Sequence, residues 1–233
     1  MKITAIIAAA GSGTRYSSIK NKLFEDLSGM PVIVHTLKKI SAVKEINNII
    51  ICTSAELIDE IKQTVSDYNI KKVSDIILGG ETRQESVFLG LKEAEKLKPD
   101  LVLIHDGARP LISEDIIKNS INSALETGAG TVAVPVKDTI KRVNPDNNII
   151  IETLKRDELW SIQTPQVFKF NEILKAHEKF KGQNFTDDSA LLEESGIPVS
   201  VIVGSYKNIK ITTEEDLKIA RVLIDRQILS DTF

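Results

Sequence analysis

Between residues 3 and 136, short apolar runs alternate with longer segments of helical period, and this alternation limits the fold more than any other feature. Ile3–Ala8, Ile46–Cys52, Ile76–Leu78, Leu101–Ile104 and Thr131–Val136 read as strands. Pro31–Ile40 reads as a helix with proline at its first turn, where a missing N–H costs nothing. Ala55–Val65 and Glu114–Leu125 read as two more helices. Val87, Leu91, Ala94 and Leu97 recur at i, i+4, i+7 and i+10, one face of another. Strand–helix alternation of this kind predicts an α/β fold: a mostly parallel sheet with helices on both faces. Such sheets bind ligands at the carboxyl ends of their strands. With 233 residues, 42% of them hydrophobic, the chain can bury the core of one large domain.

The pattern breaks at residue 138. "TIKRV" and "IIIETL" are β-rich runs around a turn of Asn, Pro and Asp, which reads as a hairpin. Two readings are open: an arm over about 138–160 that projects to another subunit, or an extra antiparallel hairpin on the main sheet. The arm is preferred, because nothing in the stretch supplies a helix to cover a sheet face. Beyond it, Asn171–Phe180 and Asp187–Glu194 look helical and Val199–Val203 reads as a strand. Thr212 and Glu215 have the spacing of a capping box opening a last helix.

Composition narrows the function. A formal charge of −3 argues against a general nucleic-acid binder. No apolar run approaches the ~18 residues of a membrane span. "MKITAIIAAAG" has a single lysine and too short an apolar run for a secretory signal, so a cytoplasmic protein is expected. The single cysteine, Cys52, ends an apolar strand and reads as a buried thiol. His105 reads as a structural side chain, and His35 and His177 have no ligand-spaced partners.

Three glycine-containing turns fall at strand ends. In "AAAGSGTRY" the third glycine of a dinucleotide fingerprint and the lysine of a Walker loop are both missing. A backbone N–H cradle over Ala9, Ala10, Gly11, Ser12, Gly13 and Thr14, with Arg15 and Lys22 close behind, still suits a triphosphate. "GGETRQES" offers Gly79 and Gly80 for close backbone approach and Arg83 and Ser86 as donors, with Thr82 as a helix cap. "HDGARP" puts Asp106 and Arg109 in one turn. The carboxylate suits a hydroxyl or a metal-bound phosphate and the guanidinium suits anion oxygens; the lesser alternative is a pair that merely ties the loop. Further on, Arg156, Thr164 and Lys210 are candidate anion or hydroxyl contacts, while Asp187 and Asp188 suit a helix start.

Taken in order, "AAAGSGTR", "NK", "GGETRQES", "IHDGARP", "VKDTIKR", "RDELWSIQTPQ", "TDDSALLE" and "NIKITTEEDL" resemble the 2-C-methyl-D-erythritol 4-phosphate cytidylyltransferase family over roughly residues 3–225. The resemblance implies a Rossmann-like nucleotidyltransferase domain over 1–233, with a β-arm that builds a homodimer. It implies transfer of a cytidylyl group from CTP to the methylerythritol phosphate, with release of pyrophosphate, in non-mevalonate isoprenoid synthesis. It also implies a divalent ion, usually Mg2+, with Asp106 as at most a weak ligand. By motif, Ala9 to Thr14, Gly79, Gly80, Arg83 and Ser86 hold CTP, and Arg15 and Lys22 act on the transition state. Lys210 and Arg156 place the acceptor phosphate, Arg156 coming from the partner's arm. Asp106, Arg109, Thr139 and Thr164 line the polyol side. The chain departs from the family at "NKLF", where Leu23 replaces a polar residue. A related family acts on ribitol 5-phosphate, and Ala108 and Trp160 favour the methylerythritol reading over it.

The chemistry agrees with the residues. An acceptor phosphate monoester, with a second pKa near ~6, is largely a dianion at neutral pH and needs no general base. The obstacle is repulsion between two anions, and the remedy is positioning plus cations.

Overall fold

The computed structural model describes residues 1–11 and 21–231, with 226–231 as backbone only. Its strands are β1 (Ile3–Ala9), the short β2 (Asp26–Leu27) and β3 (Met30–Pro31), β4 (Ile46–Thr53), β5 (Val73–Leu78), β6 (Leu101–Asp106), β7 (Ala129–Pro135), β8 (Lys141–Val143), β9 (Ile150–Thr153), β10 (Trp160–Lys169) and β11 (Ser200–Val203). Its helices are α1 (Val32–Ala42), α2 (Ile58–Asp67), α3 (Arg83–Ala94), α4 (Glu114–Thr127), α5 (Phe170–Lys179), α6 (Asp188–Glu194) and α7 (Glu214–Asp231). A seven-stranded sheet has the order β11-β7-β10-β6-β1-β4-β5. Its ladders are parallel except those that β10 makes with β6 and β7.

The expected mostly parallel α/β sheet is present, with one addition. β10 lies between β6 and β7, the neighbours that simple alternation would have paired. Its sequence hid it. Gln163, Thr164 and Gln166 are polar yet buried, and Pro165 removes a donor from a strand in mid-sheet. The β7–β10 register shifts between Ile162 and Gln166, so the strand bulges where these polar residues sit.

The core follows from strand periodicity. Ile3, Ala5 and Ile7 of β1 face one way, against Ile33 and Leu37 of α1 and Ile117 and Ile121 of α4. Ile6 faces the other way, against Val87 and Leu91 of α3, Ile173 of α5 and Leu191 of α6. Gly90 makes the close approach of α3 feasible: a Cβ there would sit 2.7 Å from both Cys52 Sγ and Ile6 Cγ2. Cys52 is the buried thiol expected, and burial pushes its pKa up to about 12. α7 packs Leu217, Ala220 and Ile224 against Leu27, Val32 and Ile211. Its capping box lies one residue later than Thr212 and Glu215. Thr213 Oγ1 accepts from the Asp216 N–H at 3.2 Å, and Asp216 Oδ2 accepts from the Thr213 N–H at 2.9 Å.

β8 and β9 form a two-stranded sheet apart from the main one, with Lys141 opposite Thr153 and Arg142 opposite Glu152. The alternative placement on the main sheet is therefore excluded. Every residue of both strands is exposed.

Candidate active site

β1 and β6 are parallel neighbours with Ala8 level with Asp106, so their two glycine loops leave the sheet side by side. The Gly107 N–H donates to the Ala8 carbonyl at 3.0 Å and carries the ladder into the loop. A Cβ on Gly107 would lie 2.8 Å from Ile33 Cδ1, so the turn has no room for a side chain. The loop after β5 closes the group. A Cβ on Gly79 would be 2.7 Å from Ala10 Cβ and 2.6 Å from Ser86 Oγ. Gly79 is thus packed behind the loops rather than lining the cleft. Thr82 caps α3 in a full capping box with Glu85, as its position suggested, and Arg83 is the first residue of that helix.

These loops enclose a cleft of about 310 Å³ lined by Ala8, Ala9, Ala10, Gly11, Lys22, Leu23, Gly80, Glu81, Thr82, Arg83, Ser86, Asp106, Ala108, Lys210 and Thr212. A second hollow of about 290 Å³ shares Arg83, Asp106 and Lys210 with it. Arg109, Ile162, Gln163, Thr164, Gln166, Thr186 and Asp187 complete that hollow.

At the junction the Asp106 carboxylate meets three cations. Oδ1 lies 3.2 Å from Arg83 Nε, and Oδ2 lies 3.1 Å from Arg109 Nε and 3.0 Å from Lys210 Nζ. Burial works to raise the Asp106 pKa, but the charges of Arg83, Lys210 and Arg109 outweigh it and hold the carboxyl well below the usual range. Arg83 also reaches Asp188 Oδ2 at 2.8 Å. Three positive groups against two negative ones leave the junction with a surplus of positive charge, suited to anionic oxygens. The same crowding bears on the reading of Asp106 as a weak metal ligand. Both its oxygens are engaged by cations, and a divalent ion there would face three like charges. Among the described residues no group of three His, Cys, Asp or Glu is placed to hold a metal.

Backbone and buried polar groups fix the cations. Arg109 Nη1 donates to the Asn208 carbonyl at 2.9 Å, and the Ile211 N–H donates to the Ala108 carbonyl at 2.9 Å. Lys210 sits between these two ties. Thr164 is fixed as well. Its Oγ1 accepts from the Asp106 N–H at 3.1 Å and lies 2.9 Å from His105 Nδ1. His105 Nε2 faces the Arg109 carbonyl at 3.3 Å. A carbonyl only accepts, so Nε2 carries the proton and Nδ1 accepts from the threonine hydroxyl. Burial lowers the His105 pKa to about 4, so the ring is neutral. The Thr164 hydroxyl proton is therefore spent inside the protein, and only its remaining lone pair faces the hollow. Ser86 is similarly occupied, accepting from the Gly80 N–H at 3.1 Å and donating to the Thr82 carbonyl at 2.9 Å.

The structure thus gathers Ala9, Ala10, Gly11, Lys22, Gly80, Arg83, Ser86, Asp106, Arg109, Thr164 and Lys210 around the carboxyl ends of β1 and β6. Ser12, Gly13, Thr14 and Arg15 lie outside the described residues. Thr139 and Arg156 are exposed, and neither lines either hollow of this chain. Arg156 Nη1 instead donates to the Lys137 carbonyl at 3.1 Å at the foot of the arm. Asp188, His177 and Gln166 were not foreseen as parts of the site. "TDD" was visible, but only as a helix start, because the contact with Arg83 spans 105 residues.

The comparisons with known proteins come to one family. The family model for IspD, 2-C-methyl-D-erythritol 4-phosphate cytidylyltransferase, matches residues 3–226. A protein of that name from Alkaliphilus oremlandii is 46% identical, with 96% of this chain and 95% of the relative covered. One from Bacillus licheniformis is 42% identical, with 97% of each covered. A crystal structure of 4-diphosphocytidyl-2C-methyl-D-erythritol synthase from Anaerococcus prevotii superposes with a TM-score of 0.85 at 36% identity, with 96% of each chain covered.

Proposed function

Since the chain belongs to the 2-C-methyl-D-erythritol 4-phosphate cytidylyltransferase family, we propose that it joins CTP to that acceptor, giving the diphosphocytidyl alcohol and pyrophosphate. One observation carries the reading beyond family membership. Three cations converge on one carboxylate where two hollows meet, at the strand ends where a triphosphate and a second phosphate have to be brought together.

The first cleft takes the nucleotide, with Ala9, Ala10 and Gly11 beside the phosphates, and Ser12, Gly13 and Thr14 assigned to the same ligand by the sequence motif alone. The second takes the polyol phosphate beside Asp106, Arg109 and Thr164. An acceptor phosphate oxygen attacks the α-phosphorus, a P–O bond forms, and the α–β bridging bond breaks. The electron pair leaves on pyrophosphate, and no proton has to be removed. Arg15, Lys22 and Lys210 offset the charge in flight, each such contact contributing about 2.7–4 kcal/mol. A divalent cation, Mg2+ by preference, would be brought in with the triphosphate to the cleft lined by Ala9, Ala10, Gly11 and Lys22, and would supply charge neutralisation on the leaving pyrophosphate. The arm carries Thr139 and Arg156 to a second copy, making a cytoplasmic homodimer in which Arg156 completes the partner's acceptor site.

The test is pyrophosphate release from CTP and Mg2+, with 2-C-methyl-D-erythritol 4-phosphate and ribitol 5-phosphate supplied separately. Release with the first acceptor alone is expected. Release with the second alone would move the chain to another polyol phosphate, and release with neither would overturn the proposal.

A further inference from the structure

We infer that Asp188 is a positioning residue for Arg83, holding the guanidinium over the nucleotide cleft from a point that ligand does not reach. Asp188 is 1% exposed and lines neither hollow, whereas the Arg83 side chain is 28% exposed and lines both. The two carboxylates divide the guanidinium between them. Asp106 takes Nε and Asp188 takes Nη1, which leaves Nη2 as the nitrogen committed to neither. Burial works against ionisation of Asp188, but Arg83 and His177 overcome it and hold its pKa low.

Asp188 is itself held from several elements. Its other oxygen, Oδ1, lies 3.3 Å from His177 Nε2 on α5 without hydrogen-bond geometry, and the His177 ring stacks on Phe88 of α3 with centroids 6.1 Å apart. The Asp188 N–H donates to Gln166 Oε1 of β10 at 3.1 Å. Gln166 Nε2 in turn donates to Thr131 Oγ1 at 2.8 Å and to Asp187 Oδ2 at 2.6 Å. One buried amide therefore ties the turn before α6 to β7 and β10 and sets the carboxylate facing the start of α3. Asp106 alone would let both arms of the Arg83 fork settle on it in a bidentate pair. That would draw the guanidinium toward Arg109 and the acceptor hollow, away from Gly80 and the nucleotide. Asp188 prevents this collapse, and its loss is felt in nucleotide binding before acceptor binding.

The inference rests on the proposed reaction, but its test separates the two. Wild-type pyrophosphate release tests the reaction. CTP affinity by calorimetry, with KM for both substrates, is measured on Asp188→Asn, Arg83→Ala and the double variant. Asp188→Asn is expected to weaken CTP binding about tenfold, the loss typical of one charged hydrogen bond, with a smaller change for the acceptor. In the Arg83→Ala background the same change is expected to move CTP affinity by less than about twofold, since Asp188 then has nothing to position. Equal losses in both backgrounds overturn the proposal, as does unchanged CTP affinity in a cooperatively folded Asp188→Asn protein. Should Asp188→Asn fail to fold, Gln166→Leu, which frees the Asp188 backbone but keeps its carboxylate, carries the same cycle with the same two outcomes.

Discussion

The Asp106 junction and the β8–β9 arm are opposite solutions to ordering a charged piece of chain. At the junction, Asp106 is 4% exposed, and each group has a partner fixed by another element of the same chain. On the arm, Ile149, Ile150 and Ile151 are 63%, 57% and 59% exposed in a row. Its order within the chain rests on a short ladder and exposed pairs such as Arg142 with Glu152 at 3.0 Å. A two-stranded hairpin with no apolar cover is marginal in water, and three consecutive exposed isoleucines are surface that another protein chain would bury. The junction's charges are thus paired within one chain, while the arm's exposed isoleucines are the surface that the proposed dimer would bury. Asp106→Ala and changes to the arm should separate these two.

The largest effect is expected at the junction. Asp106→Ala leaves Arg83, Arg109 and Lys210 crowded without their shared counter-charge. Denaturant unfolding should show a loss of about 3 kcal/mol, the lower end for a broken buried pair because Arg83 and Lys210 reach solvent. A loss under about 1 kcal/mol would mean that water already screens the cluster. Next comes Lys22→Ala, which should lower kcat by about 10²–10³ with CTP affinity changed far less. Equal losses in binding and turnover would assign Lys22 to the ground state.

His105 separates the structural part of the junction from its chemistry. An unfolded histidine titrates near 6.5, but in the fold burial lowers the value to about 4. Between those values the unfolded chain binds more protons, so stability falls as pH drops through the window, by up to about 3 kcal/mol. His105→Gln should flatten that slope, as followed by urea midpoints from pH 7 to 4. An unchanged slope would place the titration elsewhere. The smallest effect on chain stability belongs to the arm. Ile150→Ser with Ile151→Ser should shift stability by no more than about 0.5 kcal/mol, while sedimentation falls from the mass of two chains to that of one. An unaltered mass would break the contrast drawn here. An equally sharp check mixes Arg156→Ala with Lys22→Ala subunits, where regained activity is expected from the hybrid site.

Legibility followed range. β1 and β4 were readable because each is a near-continuous apolar run, and the helices because their apolar residues keep a period near 3.6. Thr82 was readable as a cap because its partner Glu85 is three residues away. β10 was not readable, because Gln163, Thr164 and Gln166 look like loop residues until their partners on β6, β7 and α6 are present. Asp106 was read as a possible metal ligand because only Arg109 of its three cations lies nearby in sequence.

By itself, then, the sequence determined the α/β class, the strand ends where loops gather, the hairpin, and the family through its ordered motifs. These depend on periodicity and local turn chemistry, which neighbouring residues settle among themselves. Only the tertiary structure decided that β10 runs antiparallel through the sheet, that Thr164 and Ser86 spend their hydroxyls within the fold, and that Asp188 stands behind Arg83. Each of those depends on a polar group finding a partner many residues away. Burial makes an unmet hydrogen bond or charge costly, and so selects the one arrangement in which these groups are paired.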